Sequence, residues 1–268
     1  MKVAVIQFQA GKNKAANVHK ALGLVRRAIR NKAKFILLPE VFVYRGKIKN
    51  IEQLSLNSES VHGSTIQQLF ALGRQHRVFI LAGSIYEPAK GARKFYNTSI
   101  LINDQGKASS IYRKINLFEA RLGRKKITES KNLLAGRKLS TARVGSFKVG
   151  LTICYDLRFP ELYRRYVQEG VQVLCVPSAF TRETGRAHWK TLVRSRAIEN
   201  LCYVLAPNQV GKDDRGMETY GHSLIVGPWG EVLAEGSLKK EEILYADINM
   251  DRIRKARKKL PGVLVGKF

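Results

Sequence analysis

Short β-rich apolar runs alternate with amphipathic stretches along nearly the whole chain, and this pattern limits the fold more than any other feature. Strands are predicted over 2–9, 35–38, 78–85, 147–154, 171–177, 201–206 and 242–248. Helical spacing falls between them. Over 13–31, Val18, Leu22, Val25 and Ile29 share one helix face, and over 64–77 so do Ile66, Leu69, Phe70 and Leu72. Further helices are predicted over 160–169, 184–200 and 250–259. Hairpins are predicted over 95–112, around Asn103–Gly106, and over 220–234, around Pro228, Trp229 and Gly230. Each sheet face and each helix stripe must be buried against another element, so alternation of this kind predicts a layered α/β domain. No linker, repeat or low-complexity segment divides the chain.

Composition excludes several classes. With 268 residues, 44% hydrophobic and 26% charged, the chain can bury a full core without staples. Its apolar runs fall short of the roughly 18–20 residues a membrane span needs. Gln7 and Gln9 interrupt the apolar stretch near Met1, so no secretory signal is expected. The cysteines, at 154, 175 and 202, are odd in number and form no C-x-x-C pair; they read as reduced thiols in a cytoplasmic protein. The histidines are scattered, and no metal site is expected.

Three positions combine chemistry with a suggestive place. Cys154 ends the apolar run 147–154, and Pro160 then opens a helix. A thiol at a strand-to-helix turn lies near helix N-terminal amides, which favour the thiolate, and activated nucleophiles sit at such corners. The alternative is a core cysteine, which is the reading for Cys175 and Cys202. Glu40 follows an apolar strand and Pro39. A carboxylate there must be paired, or its pKa rises, and a raised pKa suits a general base near neutral pH; the alternative is a solvated loop residue. Lys114 has apolar neighbours, the only local hint of an inward side chain; in so basic a chain a lone lysine otherwise reads as surface.

Taken together, three separated segments resemble the carbon–nitrogen hydrolase (nitrilase-like) superfamily: Leu37-Leu-Pro-Glu40, Tyr112-Arg-Lys114 and Gly150-Leu-Thr-Ile-Cys154-Tyr-Asp-Leu-Arg-Phe-Pro-Glu161. Matching segments continue through Pro177-Ser-Ala-Phe180, Thr184-Gly-Arg-Ala-His-Trp189, Arg194-Ser-Arg-Ala-Ile-Glu-Asn200 and Tyr220-Gly-His-Ser223, so the resemblance covers about 2–251. It implies a four-layer α-β-β-α sandwich as one domain over 1–268, with a catalytic core over 2–251 and a basic C-terminal tail over 252–268. It also implies a homodimer joined through the helix after Cys154 and the helix over 184–200, and no metal or organic cofactor. The implied site is Glu40 as general base, Lys114 as oxyanion stabiliser and Cys154 as nucleophile, with the Tyr155 backbone N–H as a second oxyanion donor. A second glutamate, which helps hold lysine and substrate, is Glu129 or Glu119; Glu129, followed by Ser130 and Gly136, fits the family pattern better. Many relatives carry His where this chain has Asn116, which can donate the same hydrogen bond.

The Tyr155-Asp156 pair differs from the Trp-Glu of nitrilases and from the Asn-Asp-Arg-Arg run of N-carbamoyl amidohydrolases. The run from Cys154 to Glu161 resembles instead the branch of omega-amidases and deaminated-glutathione amidases, which hydrolyse terminal amides of α-keto acids. A small-molecule amide carrying a remote carboxylate is therefore the expected substrate. Arg158 would bind that carboxylate, Phe180 and Thr184 would form the substrate wall, and Tyr44 is a candidate for the entrance.

The charge is not explained by this activity. Lys plus Arg number 48 against 21 acidic residues, a net +27. Basic clusters lie at 121–126 and 252–259. The rival reading is an amidase fold whose basic surface binds nucleic acid or an anionic membrane. No nucleic-acid-binding module and no aromatic–basic interleaving accompany these clusters. The segment 262–267 lacks the spacing of a phosphate-binding loop.

Overall fold

Side chains of the first strand, Lys2–Gln7, are buried on both faces and enter two cores in alternation. Val3 and Val5 pack into one core, whereas Ala4 and Ile6 pack into another. The neighbouring strand Phe35–Leu37 divides the same way, with Phe35 and Leu37 on one side and Ile36 on the other. This sheet is therefore sandwiched between two layers. The structure, a computed structural model, describes residues 1–123 and 125–264. Arg124 of the basic cluster at 121–126, and residues 265–268 of the expected tail and of the segment 262–267, lie outside the described residues.

The first sheet has seven strands, in the order Glu242–Asp247, Lys2–Gln7, Phe35–Leu37, Phe79–Leu81, Phe95–Ile102 and Ile85–Pro88, with Ala108–Arg113 also paired to Phe95–Ile102. The second has six, in the order Val232–Glu235, Leu224–Val226, Tyr203–Ala206, Val173–Cys175, Phe147–Leu151 and Thr141–Val144. Each sheet has a parallel centre: Lys2–Gln7 with Phe35–Leu37 and Phe79–Leu81 in one, Phe147–Leu151 with Val173–Cys175 and Tyr203–Ala206 in the other. The inner faces of both sheets share a core with Tyr163, Tyr166, Trp189 and Val193 of the helical layer behind the second sheet. The outer face of the first sheet packs on Val18, Leu22 and Val25 of Lys14–Arg30 and on Ile66 and Leu69 of Ser64–His76. The result is the four-layer α-β-β-α sandwich.

Local chemistry sets several boundaries. Asn13 caps the helix Lys14–Arg30 by accepting the Ala16 N–H at 3.0 Å. Arg77 ends Ser64–His76 in the left-handed conformation. Elsewhere long-range packing overrides local preference. The strand expected over 78–85 is broken into Phe79–Leu81 and Ile85–Pro88, because Gly83 (φ +21°) passes so close to the preceding loop that a Cβ would lie 1.9 Å from the Pro39 oxygen. The strand expected over 147–154 stops at Leu151. The helix expected over 184–200 is a short turn Arg182–Thr184, a wider π turn Gly185–Trp189 and a regular helix Lys190–Asn200. The strand expected over 220–226 is cut to Leu224–Val226, while Glu218–Tyr220 pairs with Val210–Lys212 in a separate hairpin. The helix Ile51–Asn57 and the hairpin Glu119–Leu122/Lys125–Thr128 were not expected; both segments lack clear apolar periodicity.

Of the segment 252–268, the part within the helix Met250–Lys259 buries Ile253 and Ala256, turns Arg257 inward to donate to the Leu201 and Val171 carbonyls, and leaves Arg252, Arg254, Lys255, Lys258 and Lys259 exposed. Among the described residues no helix is long and apolar enough to cross a membrane.

Candidate active site

Ligand sites in layered α/β folds form beyond the carboxyl ends of the central strands, and here both sheets contribute. Phe35–Leu37 leads into Glu40, Phe147–Leu151 into Cys154, and Val173–Cys175 into Ala179 and Phe180. They meet in a pocket of about 920 Å³, counting its open mouth. Among the described residues its walls include Glu40, Lys114, Glu129, Cys154, Tyr155, Arg158, Phe180 and Thr184. The sequence-based site residues thus converge, although they are spread over much of the chain.

Glu40 is held from several directions. Its backbone carbonyl accepts the Gln209 side chain at 2.9 Å, and the following Val41, strained at φ +47°, donates its N–H to Ser84 Oγ at 2.8 Å. Its Oε1 accepts Asn97 Nδ2 at 2.8 Å and Lys114 Nζ at 3.0 Å. Lys114, 1% exposed, follows the strand Ala108–Arg113 and is tied into the sheet by its N–H to the Asn97 oxygen. Its Nζ lies 2.9 Å from Glu129 Oε2, which also accepts the Phe118 N–H at 2.8 Å. Glu119 does not reach Lys114: it is exposed and accepts the Ser130 N–H at 3.0 Å.

Cys154 stands in the left-handed region at φ +47°, the first residue of a tight turn, with its N–H on the Pro177 oxygen at 3.0 Å. Its thiol hydrogen-bonds the Glu40 carboxylate, and the Ala179 N–H faces the sulfur. Asp156, fully buried, fastens this turn to the lysine. It accepts Tyr112 Oη at 2.8 Å, Ile153 N–H at 2.9 Å, and both the backbone and side-chain N–H of Asn116 at 2.9 Å. Asn116 therefore donates as expected of it.

The electrostatics correct two expectations. Burial alone would raise the Glu40 pKa, but Lys114, the Cys154 hydrogen bond and Arg45 together hold it below the usual glutamate range rather than above it. Conversely, the thiol of Cys154 is pushed well up, not down. Burial and the Glu40 charge outweigh the opposing pull of Lys114 and the Ala179 N–H. Burial by itself would depress Lys114, yet Glu129 and Glu40 hold it well above the ordinary lysine value. The resting proton thus sits on sulfur, beside an ionised glutamate and a firmly charged lysine. Cys175 and Cys202 are buried, and desolvation pushes both thiols far up, consistent with core packing.

The remaining wall is aromatic and cationic. Tyr155 packs its ring 5.0 Å from Phe118 and 5.6 Å from Phe159. Arg158 lies over the rings of Tyr155 (5.7 Å) and Phe180 (5.4 Å) and touches His188 Nδ1 at 3.3 Å; it meets no carboxylate among the described residues. Thr184 bonds Thr181 Oγ1 at 2.9 Å. Tyr44 does not line the pocket: it is buried and bonds Gln53 and Lys47, while its neighbour Arg45 faces the pocket instead. Sequence reasoning missed Arg45, Tyr86, Asn97 and Arg215. A polar Asn97 within the apolar strand Phe95–Ile102 is a detectable signal. Two arginines among 48 basic residues are not.

Fold and pocket together define a cysteine hydrolase of α-β-β-α architecture, its thiol buried at a strand-to-turn corner. The chain belongs to the carbon-nitrogen hydrolase family, whose profile matches residues 2–258. It is 37% identical over 265 residues to a deaminated glutathione amidase of Synechocystis, covering 97% of this chain and 96% of that one. It is also 37% identical to the human omega-amidase NIT2, over 97% of this chain and 92% of that one. Among solved structures, Saccharomyces cerevisiae Nit3, a member of branch 10 of the nitrilase superfamily, superposes with a TM-score of 0.87 at 33% identity, covering 97% of this chain and 94% of that one. The C. elegans NitFhit protein gives 0.88 at 32% identity; the match covers 97% of this chain but only 63% of that longer one.

Proposed function

We propose that the chain hydrolyses the terminal amide of a small α-keto acid through a cysteine thioester, releasing ammonia. Glu40 takes the Cys154 proton, and the thiolate attacks the amide carbon. The new C–S bond forms as the carbonyl π pair moves onto oxygen, where the Lys114 ammonium and the Tyr155 N–H receive it. Collapse breaks the C–N bond, and Glu40 returns its proton to the departing amine. Glu40 then deprotonates a water that attacks the thioester; the C–S bond breaks and the thiolate recovers the proton. Glu129 keeps Lys114 charged and in position. The observation that carries this reading is the Lys114 ammonium held between Glu40 and Glu129 beside a thiol bonded to Glu40.

The substrate class is supported by the names of the relatives and by Arg158, whose guanidinium, stacked on aromatic rings and meeting no carboxylate among the described residues, suits an incoming carboxylate. The proposal extends to one cytoplasmic catalytic domain that pairs with a second copy through the helices Pro160–Gln168 and Lys190–Asn200. The exposed Ile198 and Trp229 beside that face support the pairing, and sedimentation at micromolar concentration tests it. The test of activity is ammonia release from α-ketoglutaramate, a simple aliphatic amide, an N-carbamoyl amino acid and a nitrile, with Cys154→Ala as blank. Turnover selective for the keto-acid amide and abolished in Cys154→Ala is expected. Activity that survives the substitution in a folded protein refutes the mechanism.

A further inference from the structure

We infer that Asn97 is a positioning residue for the general base: its amide occupies Glu40 Oε1, which leaves Oε2 as the oxygen that takes and returns the thiol proton. This rests on the reaction proposed above and deepens it by giving the two oxygens of Glu40 separate duties. The amide and ammonium donors to the carboxylate both fall on Oε1, Asn97 Nδ2 at 2.8 Å and Lys114 Nζ at 3.0 Å. A carboxylate is a nearly two-fold rotor about its last torsion, so its oxygens exchange unless one is pinned. Lys114 cannot serve as the pin throughout. It is shared with Glu129 at 2.9 Å, and in the proposed reaction it turns its charge to the oxyanion.

Asn97 is neutral and has no second task. It is 1% exposed, and its Oδ1 is buried with no partner among the described residues. The opposite amide orientation would set Oδ1 against an ionised carboxylate, so the N–H faces Oε1. A carboxyl O–H oxygen is a poorer acceptor than a carbonyl oxygen, and the N–H therefore favours the proton on Oε2. The same strand carries Phe95, Ile100 and Leu101 into the cores. A buried, unpaired Oδ1 is a cost that an apolar side chain at this position would avoid, and the bond to Glu40 is what accounts for the amide.

The backbone makes this donor rigid. Asn97 lies in Phe95–Ile102, which pairs with Ile85–Pro88 on one side, where Tyr86 stands opposite Asn97, and with Ala108–Arg113 on the other. Its carbonyl accepts the Lys114 N–H at 2.9 Å. One strand residue thus sets the base through its side chain and the lysine through its main chain.

The test uses Asn97→Leu, which removes the donor, and Asn97→Asp, which keeps the shape but sets a second carboxylate beside Glu40. The other titratable and charged groups that act on Glu40, namely Lys114, Cys154, Arg45 and Tyr86, are unchanged in both. Two rates are followed against pH: alkylation of Cys154 by iodoacetamide, read by mass spectrometry, and turnover of the keto-acid amide, with Glu40→Gln marking the rate without the base. In Asn97→Leu, alkylation at neutral pH and kcat should each fall about 10–100-fold, the size of one hydrogen bond to a charged acceptor, with KM within about threefold. In Asn97→Asp the acid limb of both rates should move up by at least about one pH unit, because a like charge disfavours ionised Glu40. Folded Asn97→Leu within about threefold of wild type in both rates overturns the inference. So does a slowed Asn97→Asp whose acid limb has not moved, since that is a purely structural role; this arm decides alone where Asn97→Leu does not fold. If wild type turns over no amide, yet alkylation is slowed by Glu40→Gln and Asn97→Leu alike, the proposed reaction falls and the positioning stands. Alkylation unaffected by Glu40→Gln removes the base and the inference together.

Discussion

Glu129→Gln tests the electrostatic logic of the site most directly, because it removes a charge while keeping the shape. In the wild type, Glu129 Oε2 accepts two hydrogen bonds, from Lys114 Nζ at 2.9 Å and from Phe118 N–H at 2.8 Å. A bond to a charged acceptor is about twice as strong as a neutral one, so each loses about 1–1.5 kcal/mol when the carboxylate becomes an amide. The combined loss is about 2–3 kcal/mol, which corresponds to roughly 30–150-fold if expressed in the transition state. The direction follows from the lysine. With Glu129 neutral, Lys114 is drawn onto Glu40, which makes Glu40 a weaker base and leaves the oxyanion less well supported. Steady-state ammonia release should therefore show kcat/KM reduced roughly 30–150-fold, mostly through kcat. Glu119→Gln, which alters an exposed residue bonded to Ser130 and Thr128 and not to Lys114, is the control and should stay within about threefold. Glu129→Gln within threefold of wild type, or Glu119→Gln equally impaired, would refute the assignment of the second glutamate.

The other predictions concern pH and stability. Glu40 is held below the usual value of 4.5. Its ionised form therefore contributes stability that is present above that value and is lost as pH falls through its lowered native pKa. The acid limb of kcat/KM should accordingly lie below pH 4.5, and a limb between pH 6 and 7 would contradict the pairing described. Asp213 carries the same sign, since burial works against its charge but Arg45 and Arg215 hold its pKa down. Asp213→Asn would leave two guanidiniums facing each other without their carboxylate, and should cost about 3–5 kcal/mol in denaturant unfolding. A loss under about 1 kcal/mol would mean the arginines do not depend on it.

Where local pattern and tertiary placement agree, the sequence was readable. Asn13 before a helical stripe and the period-two strands 2–9 and 35–38 are encoded by neighbours along the chain. Gly83 and Gly185 were not readable as breaks. Each is set by a distant partner, the Pro39 oxygen for one and the Tyr220 ring for the other. The basic hairpin over 119–128 was missed because its charges mask any alternation, yet it leads directly into Glu129.

The sequence by itself determined the layered α/β architecture, the family, and which side chains could carry the chemistry, because periodicity and ordered motifs are properties of adjacent residues. Only the tertiary structure decided that Glu129 rather than Glu119 reaches Lys114, that Glu40 is held low while Cys154 is pushed high, and that Arg45 and Arg215 share one carboxylate at the pocket. The physical reason is that desolvation and Coulomb energy depend on separation in space, and the partners that set them, such as Arg45 and Asp213, lie far apart along the chain.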